Sequence, residues 1–500
     1  MSEPHDPDRT TDGVAAAGAA PGAADPAAPG GADSEQPTLK QAITPKLLLL
    51  FIVGDILGTG VYSLTGRVAG EVGGAGWLPI IVAFAVAMVS ALSYVEMVTK
   101  YPQAAGAALY VHKAFGIHFV TFMVTFAVLS SGITSASTSA IFLSENVLKA
   151  FALEEPLGAA AGPVATGIAL AFLALVALVN LRGVTESVTA NVVLTCIEMT
   201  GLALVIVVGF YALGRGQADL SRVVLFETQD DKSVFMAVIG ATALAFFSMV
   251  GFEDSVNMAE ETVDPVRNFP RALITGLSIT GVVYVLISIL AVAVVPIGQL
   301  TESTTPLLEV VRVGAPALPI DTIFAFISIF AVANTVLINM MMASRLLYGM
   351  AKQGVLPGFL KGVLRGRRTP YAGILFSTVL AFALVLSVRY VLADETIAAL
   401  GGTTALLLLT VFGLVNISVL VLRRDRVDVR HFRTPTVLPI IGALTSFALV
   451  SPIAQPLQNY VIAGGLLVVG LALYVVTWLY NGAIRARRTR FHRPDDIGRR

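Results

Sequence analysis

Asp55 and Glu198 lie inside apolar runs of membrane-span length, where a charged side chain costs on the order of 3 kcal/mol on insertion scales. Acids kept at that depth serve ions, protons or substrate, so the pair is read as a coupling site. From span starts near residues 46 and 189, each lies nine residues in (55 − 46 and 198 − 189), or roughly 14 Å at 1.5 Å per residue. On that count they share a level, and two neighbouring carboxylates can hold one exchangeable proton between them. A second reading makes the acid a Na⁺ ligand beside first-span carbonyls and Ser328 or Asn334. A third leaves Glu198 permanently protonated and hydrogen-bonded to a neighbouring helix. Glu253 and Asp254 form another acidic pair, suited to attracting a cationic group or to bonding the first span as one half of it closes. Soluble-enzyme chemistry finds no support. The five histidines have no metal-ligand spacing with another His, Cys or acid, and no GxxxxGK[ST] loop is present to cradle ATP. No cofactor is expected, and H⁺ is the preferred coupling ion over Na⁺.

The elements that carry these acids are unusual. The run from Lys46 to Gly66, KLLLLFIVGDILGTGVYSLTG, has span length but is interrupted by Gly58, Thr59 and Gly60. In lipid an unbroken helix satisfies its own backbone, so a break is tolerated only where freed N–H and C=O groups meet protein, water or ligand. A second break falls in the run 234–259 at Gly251-Phe252-Glu253-Asp254. Two interrupted spans at corresponding places in two halves point to a substrate site. The alternative is that these glycines only let helices pack closely.

Apolar residues make up 56% of the chain and charged residues 13%, against roughly 25% charged in soluble domains. The fold class is therefore an all-α integral membrane protein. Twelve spans are expected, near 46–66, 77–98, 117–147, 160–180, 189–213, 234–259, 271–296, 319–347, 371–392, 396–422, 435–452 and 460–482, the third and eighth being long. With the N-terminus inside, 26 of the 33 Lys and Arg fall on the inner side, which sets the orientation with both termini cytoplasmic. Residues 1–40, rich in Ala, Gly, Pro and Asp, are expected to be a disordered tail. Residues 41–482 form the membrane domain, and 483–500 a basic tail carrying Arg485, Arg487, Arg488 and Arg490. The lone Cys196 excludes an intrachain disulfide. The charges Glu260, Glu261, Asp264, Arg267 and Arg271 read as a loop cluster, either a latch or a solvated run. The alanine-rich composition points to a bacterial plasma membrane, and no nucleic-acid partner is expected.

Several stretches together resemble the amino acid, polyamine and organocation (APC) transporter superfamily. They are GTGVYSLTG in the first span, SYVEMVTKYPQAAGAALYVHKAFG from Ser93, FFSMVGFEDSVNMAEETVDPVRNFPRAL from Phe246, SRLLYGMAKQGVLP from Ser344 and RRTP from Arg367. The resemblance implies a LeuT-like fold, with inverted repeats over about 46–213 and 234–422 and peripheral helices over 435–482. It implies an amino acid permease working by alternating access, with amine or polyamine transport, exchange, or a non-transporting receptor as alternatives. Gly58, Thr59 and Gly60 then present N–H groups to a substrate carboxylate, and Val250, Gly251 and Phe252 offer carbonyls to its ammonium. Phe252 is the candidate gate, Tyr62 a weaker one, and Ser130, Ser131 and Ser135 candidate wall residues. The chain departs from the family at Thr195-Cys196-Ile197-Glu198, where several relatives have a lysine at the last position.

Overall fold

A computed structural model describes residues 39–483 except 152, 229–232, 304, 317–319, 391–394, 426 and 428–429. The first helix, α1 (Pro45–Leu57), is started by Thr44, whose hydroxyl accepts from the Leu47 N–H, and by Pro45, whose ring presets the helical φ. It stops at Gly58, with φ −26° and ψ −162°, and α2 (Thr59–Val72) begins at once. The first span is thus two half-helices joined by one non-helical residue.

There follow α3 (Trp77–Lys100), α4 (Gly106–Phe115), α5 (His118–Ala150), α6 (Ala161–Arg182) and α7 (Val184–Gly214). The sixth span is α8 (Val234–Phe247), capped by Ser233, then a turn over 248–253 and a 3-10 helix, Asp254–Glu261. The remaining long helices are α9 (Pro265–Val294), α10 (Ile320–Lys352), α11 (Tyr371–Tyr390), α12 (Glu395–Leu422), α13 (Val437–Val450) and α14 (Leu457–Ala483). Among the described residues ten helices are long and apolar enough to cross a membrane, and α8 and α13 are shorter apolar helices. The fifth span starts at Val184, five residues before the expected 189, because Gly183 at φ 155° ends the preceding turn there.

The 33-residue helices α5 and α10 pack along each other, while α1 lies between α7 and α9. The interior is continuous around α1, α3, α4, α9 and α12. On α14, by contrast, Leu457, Val461, Val468 and Val476 are all exposed. Such an apolar exterior is what a lipid-facing helix requires.

The charge cluster after the sixth span divides into a paired, inward part and an exposed part. Glu261 and Arg345 form an ion pair at 2.8 Å with both side chains wholly buried, and Glu260 pairs with Lys352 at 3.3 Å. Only Asp264, Arg267 and Arg271 of the five are exposed. The chain before α1 is tied to the same place: the Ala42 and Ile43 N–H groups donate to Glu261 O at 2.9 and 3.0 Å, and the Val263 N–H to Ile43 O at 3.0 Å. Leu39, placed in the tail by composition, packs with Ala104 and Tyr348. The other expectations for the tails, residues 1–38 and 484–500, lie outside the described residues.

Candidate substrate site

The two breaks touch. Gly251 has φ 129°, a conformation that L side chains rarely adopt, and a Cβ there would lie 2.8 Å from Asp55 O and 3.2 Å from Asp55 Cγ. One turn along, a Cβ on Gly60 would lie 2.9 Å from both Cα and Oγ of Ser248. Glycine is needed at both positions because the backbone of one broken span rests on the other. The Gly251 N–H, left without a helical acceptor by the turn, donates to Glu253 Oε2 at 2.9 Å.

A cavity of about 60 Å³ opens beside this contact. The first span contributes Asp55, Gly58 and Gly60, and the sixth contributes Ser248, Val250, Gly251, Glu253 and Asp254. Across from them α5 presents Ser131 and Ser135, α10 presents Thr335 and Asn339, and α12 presents Thr404. Asn339 Nδ2 donates to Thr335 O at 2.9 Å and to Ser135 Oγ at 3.4 Å, joining two walls.

Most of the residues expected at the site are therefore at the cavity; among the described side chains, Phe252, Ser130 and Glu198 do not line it. Phe252 is wholly buried away from it, its ring 5.7 Å from Tyr94 and 5.2 Å from Phe412. Phe252 packs behind the wall, while Phe247, the last residue of α8, lines the cavity. Thr59 opens α2, and its side chain lies outside the described residues. Ser130 is half-buried on α5 and does not line the cavity, in contrast to Ser131 and Ser135.

The intramembrane acids divide differently from the expected Asp55–Glu198 pair. Asp55 feels the charges of Asp254 and Glu253 on the facing break, and its Oδ2 is buried with no hydrogen-bond partner. Glu198 is wholly buried, and neither carboxyl oxygen has a partner. It shares its surroundings with Tyr62 and Tyr284. The separation follows from the register of α7: Thr195 is the residue against Gly54, and Glu198 lies three residues beyond, about 4.5 Å along the helix. Asn334 sits beside Glu198, but its Nδ2 is directed at Gly54 O and Thr195 Oγ1, both at 3.2 Å. Asn191 Nδ2 donates to Asn334 Oδ1 at 2.8 Å. These neutral groups tie the last turn of α1 to α7 and α10. Tyr284 completes the support, its hydroxyl donating to Ile56 O at 2.6 Å.

Sequence reading missed Thr335, Asn339, Ser248 and Thr404. A signal for the first two was present: Asn334, Thr335 and Asn339 are polar residues in an apolar run, and 335 and 339 are one helical turn apart. Among the described residues no cluster of His, Cys, Asp and Glu is placed to hold a metal ion.

A multi-pass membrane protein whose two broken spans meet at a polar, glycine-lined cavity has the architecture of a transporter of small molecules. This chain belongs to the amino acid permease family of the APC superfamily, whose family model matches residues 44–479. It is 25% identical to the methylthioribose transporter of Bacillus subtilis, covering 82% of this chain and 88% of the relative. It is 26% identical to the branched-chain amino acid permease BcaP of Bacillus subtilis over 83% and 88% of the two chains. Cationic amino acid transporter 9, chloroplastic, of Arabidopsis thaliana is 28% identical over 62% of this chain and 55% of its own length.

Proposed function

We propose that this chain is a secondary active permease that moves amino acids across the bacterial plasma membrane by alternating access, coupled to H⁺. The observation that carries this reading is the pair of facing breaks at Gly58–Gly60 and Val250–Phe252, with a polar cavity at their contact. The breaks head two sets of five spans, which supports the inverted-repeat reading over about 46–213 and 234–422, with α13 and α14 peripheral. Both termini are cytoplasmic, on the asymmetry of Lys and Arg. An amino acid substrate is supported by the permease family and by relatives named for amino acid transport.

In this reading α2 starts with N–H groups that have no intrahelical partner, and they receive the substrate carboxylate. Glu198 carries the exchangeable proton, since it is buried, lacks a hydrogen-bond partner and stands apart from the cavity acids. Na⁺ is less well served. The Gly54 carbonyl, a candidate ligand, already accepts a hydrogen from Asn334. The energetics are adequate: one charge moving through 100 mV yields about 2.3 kcal/mol, enough for roughly 50-fold accumulation of a neutral solute. Glu198→Gln removes the proton site while keeping its size. In liposomes this variant is expected to retain exchange of substrate but lose accumulation driven by a pH gradient. Unchanged pH dependence with unchanged accumulation would sink the proton role.

A further inference from the structure

Resting on the permease reading, we infer that the cavity selects a substrate of net positive charge: an amino acid whose side chain carries a second ammonium or guanidinium group, held among Asp55, Glu253 and Asp254. Three carboxyl groups line the cavity, and no Lys, Arg or His does. Among the described residues none of the three takes part in an ion pair.

Their placement is built by the backbone. Gly251, at φ 129°, brings the sixth-span turn onto the last turn of α1, with Asp55 Cγ 3.2 Å from where its Cβ would stand. Asp55 Oδ2 is buried there without a hydrogen-bond partner. Glu253 folds back to accept the Gly251 N–H at 2.9 Å, which fixes its carboxylate beside the cavity. It also occupies one donor that a substrate carboxylate could otherwise use at this break. The N-terminus of α2, a helix of 14 residues, receives the substrate carboxylate, and the sixth-span side presents its acids to a cation.

Charge counting then decides the substrate class. A neutral amino acid is a zwitterion and adds no net charge to a cavity that holds three acids. Its single ammonium is also offset by its own carboxylate. A cationic amino acid adds one net positive charge and a second donor group, and a charged hydrogen bond to a carboxylate is stronger than a neutral one. The neutral walls agree with this division. Ser131, Ser135, Thr335, Asn339 and Thr404 can solvate the middle of a polar ligand without supplying a charge of their own.

L-lysine and L-norleucine differ at the side-chain end by an ammonium in place of a hydrogen, so their comparison isolates the second charge. Uptake of each, labelled, would be measured in liposomes holding the full-length wild-type chain. The expected result is a preference for lysine of about tenfold or more, the range that one charged hydrogen bond supplies. In Glu253→Gln or Asp254→Asn the preference should shrink, with norleucine uptake less affected than lysine uptake. Because the first comparison uses the wild-type protein, it stands even if the variants fail to fold. Norleucine moved as well as lysine, or better, overturns the inference and leaves the permease reading intact. So does a lysine preference that survives both substitutions. If a wider amino acid panel also fails to move under any gradient or by exchange, the permease reading fails and this inference with it.

Discussion

Replacing Gly251 by alanine should separate the two broken spans. The residue holds φ 129°, a region that costs a residue with a Cβ about 1–3 kcal/mol. The added methyl would also meet Asp55 O at 2.8 Å and Asp55 C at 2.9 Å. These are backbone atoms that cannot swing aside, and forced overpacking of this kind costs about 1–3 kcal/mol more. A total of about 2–6 kcal/mol falls on the state in which the breaks are in contact, and 2 kcal/mol alone corresponds to about 30-fold in affinity. The assay is equilibrium binding of a labelled substrate to purified protein, with thermal unfolding followed in parallel. Gly240, in the interior of α8 with nothing within 4 Å of where a Cβ would stand, supplies the control. There alanine should be neutral or stabilising by about 0.5–1 kcal/mol. Wild-type affinity and stability in Gly251→Ala, or equal losses in both variants, would refute the claim that contact between the breaks forms the site.

Three other outcomes are expected. Arg345→Met strands Glu261 in a wholly buried position and should destabilise by about 3–5 kcal/mol, whereas the double variant Glu261→Leu with Arg345→Met should recover most of that loss; thermal unfolding of the single and double variants checks both. Phe252→Ala should lower stability by about 3–5 kcal/mol, because the ring packs against Tyr94 and Phe412; stability held with only KM raised would instead make it a gate. In Asn334→Asp a protonated carboxyl can still donate to Gly54 O, which now accepts from Asn334 Nδ2, but an ionised one cannot. Uptake by this variant should therefore be best at acidic pH and fall as pH rises relative to wild type, and a pH profile parallel to wild type would remove Asn334 from the tie between α1 and the helices behind it.

How far the sequence could be read depended on the kind of information each feature carries. The breaks were legible because glycine inside an apolar span has few physical explanations, and Gly58, Gly60 and Gly251 stand at the contact. The acids were legible as intramembrane groups, but their partners were not. Counting residues from estimated span starts put Asp55 beside Glu198, yet the true start of α7 is Val184. Pairing across helices depends on rotation and offset that a linear count does not hold. Phe252 illustrates the same limit in a turn: its neighbours Gly251 and Glu253 line the cavity while it points away. The charge run near 260 read as either a latch or a solvated run, because composition cannot reveal that Arg345, 84 residues later, reaches Glu261 in a closed interior.

Transport through the contact of the two breaks, driven by protons, is put to the test by accumulation of a labelled amino acid in liposomes holding the purified full-length protein, first with an inward proton gradient and then with a sodium gradient. Accumulation above equilibrium is expected with the proton gradient alone, reduced in Gly251→Ala and preserved in Gly240→Ala. Ligand binding without movement under either gradient, and without exchange from preloaded liposomes, would contradict that expectation and leave a receptor that has the fold of a permease.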